Sequence, residues 1–542
     1  VGIQRIREQI PTNQNPFHYY DKAIVSVDTL KNDRDYRFYL DNASWDIIVI
    51  DECQNVAKRG ARIAQRARLA ERLATRSETL LLLSATPHDG KPESFASVMN
   101  MLDPTAIADP SNYSKDDIKD LYVRRFRKDV IADLRNSVKE RDSADVECPA
   151  SEKEERVFAL LKDLKLPDSD AKAKAGQLFK TTLAKSLLSS PMAALETVRN
   201  RLKRLAAAPT PAPADEAALQ QLEPLLAAIG PADFSKYQRL LQLIRADWDW
   251  NGKAPRDRIV LFTGRRETQR FLVEHLAADL GLPKDAVVGL DGAMPDVEQT
   301  KVVEQFAQEK EAVRILVATE VASEGLNLHY LSHRLVHVDI PWSLMTLQQR
   351  NGRIDRYGQS RQPLIRYLLT SSQVAGMGDV ERILQVLIRK DEQAQRNIGD
   401  PSVFMGVYDA VGEEEEISRA FESGTVEALE QRMDANAQPY LEHGSGDSLF
   451  EELFGADPSD AGDADATPPL QVQQRQPFSL FPSLWTYLDT ALEAVAQQME
   501  RRGEKLDLRA DPEQQRLEIT PPSELQRRYD RYPRELQPPR GQ

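Results

Sequence analysis

The chain has 542 residues, 41% of them hydrophobic and 29% charged, enough for roughly three or four domains of ~150 residues with packed cores. Asp and Glu outnumber Lys and Arg 85 to 71, giving a net charge of −14, which excludes nonspecific nucleic-acid binding by the whole surface but leaves room for a basic cleft. Two cysteines, Cys53 and Cys148, exclude a disulfide framework and suggest a reducing cytosol; no apolar run reaches the ~18 residues of a membrane span, and no Cys/His spacing suits zinc.

Taken in order, the near-continuous apolar runs Ala23–Val27, Trp45–Ile50 and Leu80–Leu83 read as strands of a parallel sheet buried on both faces, with a helix over Ala57–Thr75. From Asp129 to Asp249 apolar residues recur at spacings of three and four, as in Glu152–Leu164 and Ala193–Leu205, and predict long amphipathic helices. Three prolines among alanines make Ala206–Ala214 a loop. Next come strand candidates Ile259–Thr263, Ala286–Leu290, Arg314–Ala318, Leu335–Asp339 and Leu364–Leu369, alternating with helices such as Thr268–Leu280 and Asp296–Gln308. That alternation predicts a second α/β block with a doubly wound, mostly parallel sheet. Beyond Ser371 lie further helices, an acidic Gly/Asp/Ala/Pro-rich tract at Gly444–Pro469 expected to be mobile, and an amphipathic helix at Leu484–Arg501.

Four segments carry chemistry. Trp45 to Gln54 is a buried strand ending in two carboxylates, at the end of an α/β sheet where ligands bind. Asp51 is placed to hold Mg²⁺, and Glu52 to orient and deprotonate a water. A bare Asp-Glu would be only an acidic turn; Gln54 and the later segments tip the reading. Leu83-Ser-Ala-Thr-Pro87 follows the next strand, with Ser84 and Thr86 as short hydroxyls able to bond a carboxylate. Alone it would be an ordinary turn. In Gln348–Gln359, helical spacing would put Gln349, Arg353 and Arg356 on one face, two guanidiniums aimed at a triphosphate; a solvated basic helix paired with Asp355 is the alternative. Ala318–Leu328 follows another strand and offers Thr319 to a nucleic-acid phosphate and Glu324 and Gly325 to the nucleotide side, or else a capped loop.

In this order, DECQ, SATP, ATEVASEGLNL and QQRNGRIDRYGQ resemble motifs II, III, V and VI of superfamily 2 helicases. The ending GRxxRxGQ (Arg353, Arg356, Gly358, Gln359), the segment Tyr122–Val130 and Ser235-Lys-Tyr look Swi/Snf-like, and Gln54 resembles the bacterial RapA-like branch. Some members of that branch sit in phage-defence systems, the DrmD component of DISARM among them. The resemblance covers roughly residues 20–375. It implies two RecA-like lobes with ATP and Mg²⁺ between them, double-stranded DNA across both, and movement along the duplex without strand separation. RNA or RNA polymerase is the lesser alternative as partner, and subunits of a defence complex would be further ones. Ser26 and Thr29 resemble a DNA-contacting segment, and Thr263 and Gly264 the start of motif IV.

The resemblance divides the chain into a truncated lobe 1 (1–128), a helical protrusion and linker (129–235), lobe 2 (236–375), a helical extension (376–443), an acidic linker (444–470) and a helical tail (471–542). It implies an ATPase located in the cytoplasm. Two departures stand out. No GxxxxGK(S/T) phosphate loop occurs, so hydrolysis requires one supplied from upstream of these residues. Gln299 stands where family members often carry arginine, seven residues before Phe306. A non-catalytic nucleic-acid-binding scaffold and an RNA-polymerase remodeller are the competing functions.

Overall fold

The computed structural model describes residues 10, 14–20, 22–32, 34–58, 64–84, 91–114, 116–118, 121–123, 139–166, 174–208, 212–320, 326–374, 378–395, 401–407, 409–443, 492, 508–511 and 516–519. They belong to two units, Val1–Pro458 and Ser459–Gln542.

In the first unit, α1 (Val27–Asn32) and α2 (Arg34–Asp41) precede β1 (Trp45–Ile50). Helix α3 (Gln65–Ala74) leads to β2 (Ser77–Leu82), which pairs with β1 in parallel from Trp45↔Ser77 to Ile50↔Leu82, and α4 (Pro92–Leu102) follows. One face of the strand pair is packed: Ile50, Cys53, Val56, Ala70, Phe95 and Val98 form a core that Ile48, Leu80 and Leu82 join. On the other face Ile47, Val49, Leu81 and Leu83 stay 47–58% exposed. Ala23–Val27, expected as a strand, is not one. Ile24 and Val25 are exposed, and the Ser26 carbonyl already accepts from the N–H groups of Thr29 and Leu30 to begin α1. An apolar run settles as a strand only where a neighbour takes up its backbone groups and buries its side chains.

The sequence pattern expects only helices from 129 to 235, but β3 (Asp142–Pro149) lies at the edge of the second sheet. Then come α5 (Glu152–Asp163), α6 (Lys174–Ser189), α7 (Pro191–Ala206), α8 (Pro213–Ala227) and α9 (Ser235–Gln242). The alternating block follows: β4 (Arg258–Phe262), α10 (Arg266–Asp279), β5 (Val287–Leu290), α11 (Asp296–Ala307), β6 (Ile315–Ala318), β7 (Ser332–His337), α12 (Leu344–Asn351) and β8 (Leu364–Ser371). All six strands run parallel in the order β3-β8-β7-β4-β6-β5. Ile259, Val260, Leu261 and Phe262 of β4 are fully buried, each worth roughly 1.5–3 kcal/mol relative to exposure. Arg258 at its start is equally buried and donates to the carbonyls of Gln305 (3.0 Å), Phe306 (2.6 Å) and Gln308 (2.6 Å), closing the carboxyl end of α11.

The sheet is the middle of three layers. On one face Ile259, Leu261, Val317 and Leu368 pack with Val157, Leu183, Val198, Leu222 and Tyr237, so α5 to α9 form a layer of this lobe rather than a protrusion. On the other face Val260, Phe262, Leu316 and Ile365 pack with Phe306, Leu344, Leu347 and side chains of α13 (Gly378–Gln393), α14 (Ala410–Ser423) and α15 (Val426–His443). Helix α5 starts on a capping box: the Ser151 hydroxyl accepts from Glu154 N–H and the Glu154 carboxylate from Ser151 N–H. Among the described residues no helix is long and apolar enough to cross a membrane.

In the second unit β9 (Leu508–Asp511) and β10 (Arg516–Ile519) pair antiparallel, a hairpin where the sequence expects a helical tail. Gly444–Pro469, and Leu484–Arg501 apart from Leu492, lie outside the described residues.

Candidate active site

The carboxylate pair stands where β1 stops. Leu83 N–H bonds the Ile50 carbonyl and Cys53 N–H the Leu83 carbonyl, both at 2.9 Å, tying the ends of β1 and β2 together. Asp51 is exposed, and its Oδ1 accepts Glu52 N–H at 3.0 Å. Glu52 has left-handed backbone angles, φ 51° and ψ 49°, which cost a non-glycine residue on the order of 1–3 kcal/mol and gather at functional sites. The reversal lets Gln54 fold back: its Nε2 donates to Glu52 Oε2 at 2.7 Å, and its Oε1 accepts from the Ser84 hydroxyl at 2.6 Å. Glu52, Gln54 and Ser84 therefore form one chain of hydrogen bonds across the two strand ends. Thr86 lies outside the described residues. Asp51 suits a hard cation, since a single exposed carboxylate completed by phosphate oxygens and water is what Mg²⁺ takes. Burial pushes the Cys53 thiol up to about 11, so it stays a protonated packing group.

The arginine segment departs from its helical expectation. Helix α12 ends at Asn351, and Gly352 is its C-cap. Gln349 sits on the helix, while Arg353 and Arg356 lie on the turns beyond it, not on a shared helix face. Arg353 Nε donates to the Gln349 carbonyl at 3.0 Å and Nη1 to that of Leu326 at 3.2 Å. Arg356, exposed, donates to the Asn327 side-chain oxygen. Asp355 accepts from Gln395 Nε2 at 2.7 Å. Gln359 is a buried knot, donating to the carbonyls of His329, Ser332 and Ile354. Gly358 has φ +89°, a backbone conformation that strains any L side chain, so conformation rather than space calls for glycine there.

At the end of β4, Thr263 is fully buried, and its hydroxyl donates to Asp339 Oδ2 at 2.6 Å. Gly264 N–H donates to Asp339 Oδ1 at 2.8 Å, and the Ser189 hydroxyl joins at 2.5 Å. The donors of Thr263 and Gly264, the residues expected at a phosphate, both go to Asp339 in this structure. Burial alone would raise the Asp339 carboxyl, but Arg350 and these hydrogen bonds outweigh it and hold it below the usual range. Asp339 ends its strand candidate as Asp51 does, and that likeness was the signal available for finding it. Thr319 is also buried, its N–H bonded to the Leu290 carbonyl. Ser26 and Thr29 are exposed at the start of α1, and Glu324 and Gly325 lie outside the described residues. Lys236, of the Ser-Lys-Tyr segment, is buried and donates to the carbonyls of Leu188 (2.6 Å) and Val338 (2.7 Å). Gln299, in the position expected for arginine, donates to the Met294 carbonyl at 2.8 Å. A cavity of about 910 Å³ in the first lobe is lined by Lys58, Glu71, Lys91, Ser94, Ser97 and Asn100 among others, and not by Asp51, Glu52, Gln54 or Ser84.

Behind the arginine segment, Asn351 Nδ2 donates to the Tyr367 hydroxyl and to Asp391 Oδ2, both at 3.1 Å, while its Oδ1 faces His337 Nε2 at 2.8 Å. An ionised carboxylate only accepts, so the amide nitrogen faces Asp391, and His337 carries its proton on Nε2. Burial, then the nearby Arg350 charge, pushes the imidazole down to about 3 from 6.5. The unfolded chain then binds more protons between those values. Stability is full above pH 6.5 and falls on acidification by about 1.4 kcal/mol per pH unit for one such group. Denaturant unfolding at pH 7, 6 and 5 should show a flatter decline for His337→Gln; identical slopes would refute the assignment.

The family described as Helicase conserved C-terminal domain matches residues 235–358. Among curated proteins the chain is similar to RNA polymerase-associated protein RapA of Pseudomonas fluorescens, 27% identical over 377 residues that cover 66% of this chain and 38% of that protein. It is also similar to RapA of Pseudomonas putida, 28% identical over 371 residues with coverages of 66% and 38%. The chain thus spans well under half the length of the curated relatives it matches. Among solved structures it is similar to the Sulfolobus solfataricus SWI2/SNF2 ATPase core in complex with dsDNA (19% identity, 70% of this chain, 73% of that chain, TM-score 0.28). The Pyrococcus furiosus Hef helicase domain is another (20% identity, 64% and 75% coverage, TM-score 0.36).

Proposed function

We propose that the chain is a Swi/Snf-like superfamily 2 helicase and part of an ATP-driven motor moving along double-stranded DNA. The observation that carries this reading is the hydrogen-bonded chain Glu52–Gln54–Ser84, which couples a water-activating carboxylate to the end of the neighbouring strand. A scaffold that only binds has no physical need for it.

In this reading Asp51 holds the Mg²⁺ that shields the phosphates, and Glu52 accepts the proton of the attacking water. Arg353 and Arg356, from the second lobe, stabilise charge on the γ-phosphoryl group, with Gln349, Glu324 and Gly325 beside the nucleotide. Gln54, Ser84 and Thr86 report its state to the first lobe. Ser26 and Thr29, with Thr319, serve the DNA backbone. Turnover in this reading requires a phosphate loop, and residues 1–542 contain no GxxxxGK(S/T) motif. A parallel strand pair is ordinarily covered on both sides, whereas Ile47, Val49, Leu81 and Leu83 stay about half exposed. We place the motor in the cytoplasm, in genome maintenance or in phage defence of the DISARM kind.

Similarity to proteins named for association with RNA polymerase favours a second reading, a remodeller of RNA or of RNA polymerase. One experiment separates them. ATPase of the phosphate-loop-bearing protein should be stimulated by duplex DNA more than by single-stranded DNA or RNA. Duplex affinity should fall along a straight log–log line with salt, by about 10³ between 50 and 200 mM for six or more phosphate contacts. Stimulation by RNA alone, or a flat salt response, would reject the duplex-tracking motor.

A further inference from the structure

Helix α12 delivers the arginine segment, and both its ends are held by buried carboxylates from helices beyond residue 358. At its amino end, Ser343 is the N-cap, accepting Thr346 N–H at 3.1 Å. The Glu413 carboxylate on α14, fully buried, accepts from the Ser343 hydroxyl at 2.6 Å and from Met345 N–H at 3.2 Å. A negative group there is favoured by the unpaired N–H groups of the first turn. At the carboxyl end, Asp391 on α13 accepts from the side chain of Asn351, the last residue of α12, and from Arg141 Nη2 at 2.6 Å. Arg141 immediately precedes β3, and both charged groups are less than a tenth exposed. One turn further on, Gln395 bonds Asp355, between the two arginines.

Buried carboxylates are poor investments for stability alone: apolar side chains of similar volume often do as well or better. Their advantage is direction, since a hydrogen-bonded carboxylate fixes its partner where an apolar contact permits sliding. Three such ties converge on one short helix and the turn it feeds. We propose that the helices after β8 act as a positioning clamp on the arginine segment, with Glu413 and Asp391 fixing the two ends of α12 and Gln395 the turn beyond. Glu413, Asp391, Asn351 and Gln395 are positioning residues in this scheme, acting through Arg353 and Arg356. The clamp rests on the arginine-finger reading above.

The test is hydrogen exchange of the intact protein, read by mass spectrometry, beside steady-state ATPase of the phosphate-loop-bearing form. Asn351→Ala and Glu413→Ala should each speed amide exchange in 344–359 by about tenfold or more, while β4 and β6 keep their protection. Glu413→Gln, which keeps an acceptor oxygen, should restore most of the protection. In the ATPase assay kcat should fall about tenfold with KM for ATP little changed, the pattern of an interaction made in the transition state. Gln395→Ala, at a half-buried position, reads the same tie if the other variants do not fold. Unchanged exchange in 344–359, or loosening spread evenly over the sheet, would overturn the clamp. Local loosening with unchanged kcat would leave the clamp standing and overturn the arginine-finger reading beneath it.

Discussion

Arg353→Ala and Arg356→Ala are each expected to cut nucleic-acid-stimulated ATP turnover by ~10³-fold or more, the scale on which arginine fingers act. ATP affinity should change far less, because charge accumulates on the γ-phosphoryl group mainly in the transition state. The two side chains are anchored on neighbouring residues: Arg353 on the Leu326 carbonyl and Arg356 on the Asn327 side chain. Both reach back to the segment that follows β6, so their reach depends on that segment as well as on α12. Lysine at either position keeps the charge but loses the planar fork of donors, and it should recover little of the rate. Steady-state ATPase with and without duplex DNA checks this. Turnover of both alanine variants within tenfold of the parent would remove the finger assignment.

The second large effect belongs to Glu52. Glu52→Gln should retain ATP binding and lose turnover by about 10²–10⁴-fold, the usual contribution of a positioned general base. The amide is nearly the same size, so the left-handed turn and the bond with Gln54 can persist, leaving proton acceptance as the property removed. Nucleotide binding by fluorescence and turnover by phosphate release separate the two properties. Normal hydrolysis by this variant would show that another group activates the water.

Legibility from sequence followed the physics of burial. Strands β4 and β6 are apolar on both faces and were plain in Ile259–Thr263 and Arg314–Ala318. Strand β3 was hidden because it is an edge strand, reading Asp-Ser-Ala-Asp-Val-Glu-Cys-Pro with only Val146 and Cys148 buried. Ala23–Val27 misled in the opposite sense, an apolar run left exposed. For the site, residue type was readable and conformation was not: helical spacing ran on through Gly352, although the helix stops at Asn351. Glu413 and Asp391 could not have been found by spacing, since they lie 70 and 40 residues from the groups they hold.

The half-covered face of β1 and β2 is an open seam of apolar side chains. Ile47, Val49, Leu81 and Leu83 are already about half buried, so covering what remains of them would release roughly 1 kcal/mol per side chain, about half the value for full burial. Left open, such a seam is an adhesive surface, the kind of exposed apolar face through which chains aggregate.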